Sequence, residues 1–307
     1  MSVIFAQIKM LRLAAIDIGS NAARLLITEV SKDSKGVVQF NKLNLLRVPL
    51  RLGFDVFESG SISKERTGMF IQTMKAYKHL LNAYGVSHVK ACATSAMRDA
   101  KNSADIIRKI RLETDIQIEV ISGDYEASLV YENHIAEALD NNFNYLYIDV
   151  GGGSTELSFF SNGMLSFKKS FNIGTIRLLK NIVQDKEWDE MKDTIRLLSK
   201  GSKKVIAIGS GGNINKVFSL SKKKDGKPLS LELLRDYHKE LSSVTLEQRI
   251  NTYNLREDRA DVILPALQIY INAMRWSNAD EIYVPKIGLA DGLVRHLWSE
   301  VKHTAKF

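Results

Sequence analysis

Two stretches of the chain carry the same message. Leu11-Arg12-Leu13-Ala14-Ala15-Ile16 runs into Asp17-Ile18-Gly19-Ser20-Asn21, and Tyr145-Leu146-Tyr147-Ile148 runs into Asp149-Val150-Gly151-Gly152-Gly153-Ser154-Thr155-Glu156. Each reads as a buried strand that ends in an acid and then turns through glycine and hydroxyl residues. Glycine lets backbone approach a ligand closely, and successive turn N–H groups form a cradle for anions. The acid beside them suits a metal ion carried by the same phosphates. Two such cradles predict two facing lobes with a polyanionic phosphate ligand between them.

A hairpin follows each cradle. Arg24 to Val30 is β-compatible and returns through Gly36 to Phe40; Glu156 to Phe160 returns through Met164 to Ser170 around Ser161-Asn162-Gly163. The unit recurs about 130 residues on, which predicts a two-fold duplication rather than a short-period solenoid. Ser63 is placed to cap a helix over Lys64 to Tyr84, and apolar spacing predicts further helices at Ser103 to Leu112, Glu126 to Leu139, Thr175 to Val183 and Lys186 to Leu198. Later helices are expected at Leu231 to Leu241, Leu246 to Tyr253, Arg259 to Trp276 and Leu289 to Lys302. Strands are expected at Val89 to Ala93, Ile116 to Ile121, Val205 to Ile208 and Glu281 to Pro285, with a third Gly-rich turn at Gly209-Ser210-Gly211-Gly212-Asn213. The best boundary is Glu132 to Phe143. It divides an N-terminal lobe of residues 1–131, joined by the closing helix 291–307, from a C-terminal lobe of residues 132–290.

The chain has 307 residues, enough for two lobes with proper cores, and 45% hydrophobic with 25% charged residues is an ordinary globular balance. The net charge of +8 attracts polyanions, while an aromatic fraction of 8% offers no stacking platform, which favours a phosphate-rich substrate over nucleic acid. The single cysteine, Cys92, excludes an internal disulfide and reads as a buried structural thiol. No apolar run approaches a membrane span, and the first positive charge, Lys9, comes too late for a secretory signal, so a cytoplasmic location is expected. The six histidines show no metal-ligand spacing, and Lys222-Lys223-Lys224-Asp225-Gly226-Lys227 reads as a solvated loop, with a track for extended polyphosphate as the rival.

On position alone, Glu126 is a helix-start acid that complements the dipole, Arg98 a surface arginine, and Glu156 a polar strand start. The motifs taken together say more. Asp17 to Asn21, Ala93 to Ala100, Val120 to Ala127, Asp149 to Leu157 and Gly209 to Asn213 occur in an order that resembles the exopolyphosphatase/guanosine-pentaphosphate phosphatase (Ppx/GppA) family in its short form. That resemblance implies a duplicated α/β fold of the two-lobed actin/hexokinase/Hsp70-like (ribonuclease H-like) type, with an interlobe cleft. It implies Glu126 as general base, Glu156 and Arg98 as further catalytic residues, and Mg²⁺ (or Mn²⁺) at Asp17, Asp149 and Glu156. Phosphate binding is implied for Gly19, Ser20, Asn21, Gly151, Gly152, Gly153, Ser154, Thr155, Gly211 and Gly212. Two positions depart from the family pattern: Tyr125 stands where it has an acid, and Ala290 where it has an arginine. The expected activity is release of terminal orthophosphate from inorganic polyphosphate by in-line water attack. The alternatives are guanosine pentaphosphate as substrate, or a non-catalytic regulator that binds either ligand. No nucleic-acid or membrane partner is expected, and a homodimer is compatible with the basic charge.

Overall fold

The central strand β1 (Leu11–Ile18) is apolar almost throughout because it is covered on both faces. Ala14, Ile16 and Ile18 enter one core, while Leu13 and Ala15 enter another on the opposite face. The computed structural model describes residues 10–131, 140–201 and 203–303. After β1 come β2 (Ala23–Lys32), β3 (Val38–Val48), α1 (Leu52–Ser59), α2 (Lys64–Ala83), β4 (His88–Ala93), α3 (Ser95–Asp99), α4 (Ser103–Thr114), β5 (Ile118–Val120) and α5 (Gly123–Tyr131). The strands form one sheet in the order β3-β2-β1-β4-β5, with β1 antiparallel to β2 and parallel to β4.

The second half repeats the plan. It comprises β6 (Asn144–Val150), β7 (Thr155–Ser161), β8 (Met164–Phe171), α6 (Thr175–Leu179), α7 (Asp185–Leu198), β9 (Val205–Ser210), α8 (Gly212–Leu220), β10 (Leu229–Ser230), α9 (Leu231–Ser242), α10 (Leu246–Tyr253), α11 (Glu257–Ala260), α12 (Ile263–Trp276), β11 (Glu281–Tyr283) and α13 (Leu289–Val301). Its sheet runs β10-β11-β9-β6-β7-β8. Read from β8 inward, the first five strands match the first sheet, hairpin for hairpin. The registers match too: Asp17 pairs with Arg24 across β1 and β2, and Asp149 pairs with Glu156 across β6 and β7. The turn between β7 and β8 has Asn162 and Gly163 both at positive φ, the hairpin geometry their sequence favours.

Three elements position the cleft. Helix α13 lays Leu289, Leu293, Val294 and Leu297 against Leu13, Ala15 and Leu26 of the first sheet. Helix α5 follows β5, packs on α13 through Leu129, and reaches across to β7 and β8. The two cradle turns press together: a Cβ on Gly153 would lie 2.1 Å from Ser95 Oγ and 2.8 Å from Ser20 Oγ.

Some expectations change. The helix expected at Arg259 to Trp276 is two helices, α11 and α12, with Pro265 in the first turn of the second, where its missing N–H costs nothing. The segment 175–183 is helical only to Leu179, and α1, α3 and α8 are additional helices. The expected continuation of α5 through Leu139 lies outside the described residues, as does most of the expected boundary. Cys92 is buried, and burial pushes its thiol up to about 12, so it is an inert core group. Residues 222–227 are exposed.

Gly153→Ala is expected to destabilise the chain by about 1–3 kcal/mol, since the added methyl meets packed atoms from the facing lobe. Urea unfolding of the two proteins, compared at matched slope, checks this.

Candidate active site

The cleft between the sheets collects the ends of β1, β4, β6 and β9 and the starts of α5 and α8. Of the residues expected to form a site, it is lined by Asp17, Gly19, Ser20, Asn21, Glu126, Asp149, Gly151, Gly152, Ser154, Glu156, Gly211 and Gly212. The parallel register explains the convergence: Asp17 lies level with Cys92 on β4, and Asp149 with Ser210 on β9, so each acid sits where its sheet meets the cleft.

Four carboxylates form the floor. Asp17 is buried and ion-paired with Arg24 at 2.6 Å. Glu156 is buried and accepts a hydrogen bond from Ser170 Oγ at 2.8 Å. Asp149 has no ion-pair partner among the described residues. Glu126 stands in the first turn of α5 with its Oε2 sealed from solvent and without a hydrogen-bond partner. Desolvation and then the negative charges of Glu156, Asp17 and Asp149 push Glu126 well above the usual carboxylate range, with Arg98 opposing. Desolvation and Asp149 push Glu156 up to about 7. Desolvation, aided by Asp17 and opposed by Arg24, pushes Asp149 up to about 6. Such a cluster favours protons or a bound cation.

The chemistry of this donor set fits a hard divalent ion, which takes oxygen ligands and commonly only one or two carboxylates beside phosphate and water. Among the described residues, no three acidic or histidine side chains converge closely enough to hold an ion by themselves. Asp149 has no cation paired with it among the described residues, whereas Asp17 already has Arg24 as its counter-ion.

Three expected site residues are placed elsewhere. Thr155 Oγ1 donates to the Ile173 carbonyl at 2.5 Å, so its hydroxyl is spent on the fold. Gly153 serves the contact between the two cradle turns, and its carbonyl accepts from Arg177 Nε at 2.7 Å. Arg98 does not line the cleft: its Nη1 donates to the Ile121 carbonyl at 2.6 Å, tying α3 to the segment before α5. It acts on Glu126 and Glu156 through its charge.

The cleft is also lined by cations. Arg24, Lys42, Arg47, Arg259 and Lys286 all line the cleft. Arg47 pairs with the buried Asp258 at 2.5 Å, yet its Nε and Nη1 are buried without partners. Desolvation and repulsion from Arg47, Arg24 and Arg256 pull Arg259 down to about 10. Arg259 packs on Gly212, where a Cβ would lie 2.4 Å from its Nη1. Guanidinium groups that crowd and repel one another beside open space favour a polyanion. Asn213 and Asn215, in the first turn of α8, each leave a buried side-chain oxygen without a partner on the same cleft.

The family model described as Ppx/GppA phosphatase family matches residues 30–300. The chain belongs to the Ppx/GppA phosphatase family. It is therefore a hydrolase of the phosphatase kind. Exopolyphosphatase 1 of Mycobacterium tuberculosis is 24% identical over 317 aligned residues, covering 96% of this chain and 91% of that protein. The bifunctional 3-dehydroquinate synthase/phosphatase of Fusobacterium nucleatum subsp. nucleatum is 32% identical over 191 residues, covering 61% of this chain; this chain spans only 29% of that protein's length. Among solved structures, an Aquifex aeolicus Ppx/GppA family member has a TM-score of 0.73 at 27% identity, covering 97% of this chain and 100% of that one. An exopolyphosphatase from Cytophaga hutchinsonii shares the fold with a TM-score of 0.79 at 24% identity, covering 94% and 98%.

The basic wall of this Ppx/GppA chain escaped sequence reading. Arg24 did leave a signal: it follows Asp17 at the spacing by which Glu156 follows Asp149, so the duplicated hairpins place both on the same rung. Arg47 on an edge strand and Arg259 on a short helix left none.

The raised carboxylates predict a pH dependence of stability. Asp and Glu in the unfolded chain titrate near pH 4, whereas the folded values lie at about 6 for Asp149 and about 7 for Glu156. Stability from these groups is full below pH 4 and is lost as the pH rises through 6 and 7. The metal-free protein should melt several degrees lower at pH 8 than at pH 5.5, and Asp149→Asn should flatten that slope. Differential scanning calorimetry at fixed ionic strength measures both.

Proposed function

We propose that this chain is a divalent-metal-dependent exopolyphosphatase that removes terminal orthophosphate from inorganic polyphosphate. The reading rests chiefly on one observation, a cleft with four carboxylates on its floor and five cations on its wall. A chain of phosphates fits both: the terminal unit lies at the carboxylates through a cation, and the remaining units run along the arginines. The exopolyphosphatase relatives support the same substrate class.

Water attacks the terminal phosphorus in line, the bridging P–O bond breaks, and the proton of the attacking water passes to Glu126 Oε2. Burial among like charges raises the proton affinity of Glu126, which suits a group that accepts a proton. Ser20, Ser154 and the turn N–H group of Gly152 orient the terminal phosphoryl group, while the Gly19 and Gly151 N–H groups close their own turns on the Ala22 and Ser154 carbonyls. Arg24, Arg47 and Arg259 neutralise the departing chain, whose new terminal oxygen carries the electron pair of the broken bond. Asp149, with Glu156 beside it, would hold Mg²⁺ or Mn²⁺, which supplies charge neutralisation and Lewis acidity at the phosphate oxygens. Arg98 is a positioning residue on this reading, because it acts through the two glutamates.

Guanosine pentaphosphate is the second reading, favoured by the unpartnered carboxamide oxygens of Asn213 and Asn215, which offer acceptors to a ligand's N–H groups. A ligand-binding regulator is disfavoured, since a buried carboxylate cluster costs stability that binding alone does not require.

Glu126→Gln is expected to lower kcat for polyphosphate by at least ~10²-fold with little change in KM, the scale of removing a general base. Phosphate release from polyphosphate and from guanosine pentaphosphate, assayed with Mg²⁺ for both proteins, decides the matter. Undiminished turnover in the variant would sink the role of Glu126; faster turnover of the nucleotide would move the substrate to the second reading.

A further inference from the structure

A side cavity of about 130 Å³ opens where β2 and β3 meet the first turns of α13. Thr28, Phe40, Val294 and Arg295 line it, with Lys42 and Asp291. Lys42 and Asp291 also line the main cleft, so the two spaces share a wall. Their ion pair, at 2.5 Å, is part of the partition.

Thr28 occupies the face of β2 from which Leu26 and Val30 enter the core against α13. The pattern calls for an apolar residue there. Thr28 is 2% exposed, and its hydroxyl has no hydrogen-bond partner in the protein. A buried hydroxyl left this way is destabilising unless a ligand or water satisfies it. The charges around it are unequal. Arg295 lies one helical turn beyond Asp291 and stacks over Phe40 at 4.7 Å, with no carboxylate partner among the described residues. Asp291 is held in place by accepting from the Gly288 N–H at 3.0 Å. Lys42 sits half exposed at the border, on a flexible stem that can turn from Asp291 toward an anion. Two cations, one carboxylate and an unsatisfied hydroxyl make a setting for a tetrahedral oxyanion.

We propose that this side cavity is a second phosphate subsite, in which Thr28, Lys42 and Arg295 bind one phosphate group. The source of that group rests on the polyphosphate reading above. It is a distal unit of the chain whose terminal unit lies at the carboxylates, or it is the released orthophosphate.

Equilibrium dialysis of the full chain with radiolabelled orthophosphate tests the site without requiring turnover. Thr28→Val and Arg295→Met lie outside the lining of the main cleft. Each is expected to weaken one class of phosphate binding by ~10-fold, the scale of a charge-assisted hydrogen bond, while Arg295→Lys retains most of it. Thr28→Val should fold at least as well as the parent, since it removes an unsatisfied buried group. Identical isotherms for all the proteins would overturn the proposal and leave the hydroxyl to water. Kinetics then assign the source. A raised KM for long polyphosphate with an unchanged KM for tripolyphosphate marks a distal substrate unit; a raised inhibition constant for orthophosphate with both substrates marks the product. Phosphate binding that is lost in the variants, in a protein that hydrolyses no polyphosphate, would uphold the subsite and refute the exopolyphosphatase reading.

Discussion

Mutual repulsion among Asp17, Glu126, Asp149 and Glu156 is the constraint around which the molecule is built. Desolvation and neighbouring negative charge raise the proton affinity of Glu126, Asp149 and Glu156, and the four carboxylates would separate if their carriers were free to move. They are held because each rides on an element fixed by apolar packing. Asp17 and Asp149 end central strands covered on both faces. Glu156 sits on the strand paired with Asp149, and Glu126 on a helix clamped between α13 and β8. The hydrophobic cores thus supply the free energy that keeps an electrostatically unfavourable cluster assembled.

The same reasoning explains why the two lobes meet where they do. The cradle turns touch at Gly152 and Gly153, where any side chain would collide with Ser20 or Ser95. Arg47 to Asp258 and Arg51 to Asp261 then tie the first sheet to the α11 region on one side of the cleft. Arg177 to Asp99 and Lys180 to Glu58 tie α6 to α3 and α1 on the other. These pairs are partly solvated, so individually they contribute little; collectively they set the lobes in one relative orientation. Arg47 is the exception, because its buried, unsatisfied N–H groups make it as much a part of the cleft as of the tie.

Local sequence carried much of this. Continuous apolar runs ending in an acid and glycines marked β1 and β6 as central strands with turns at the cleft, because only a doubly covered strand can be apolar on both faces. The Asn-Gly hairpin turn and the Ser63 cap were equally direct, since each depends on a few adjacent residues. Thr155 shows what a short window leaves open. A hydroxyl beside a Gly-rich turn suits phosphate, but whether it faces the ligand or the next strand depends on the rung it occupies, and here it bonds to Ile173. Arg98 is a similar case, its guanidinium turning to a main-chain carbonyl that only folding brings near.

The order of residues along the chain was enough for duplication and for the acids at the strand ends, because those follow from periodicity and turn chemistry within short windows. It was not enough for the basic wall. Arg24 repeats the spacing of Glu156, but Arg47 and Arg259 come from an edge strand and a short helix, and nothing local distinguishes those two from solvated arginines. Their role arises from long-range packing, which sets their burial and their mutual repulsion. Side-chain direction and desolvation are properties of the assembled lobes, and they alone separate a residue that faces the cleft from one that braces it.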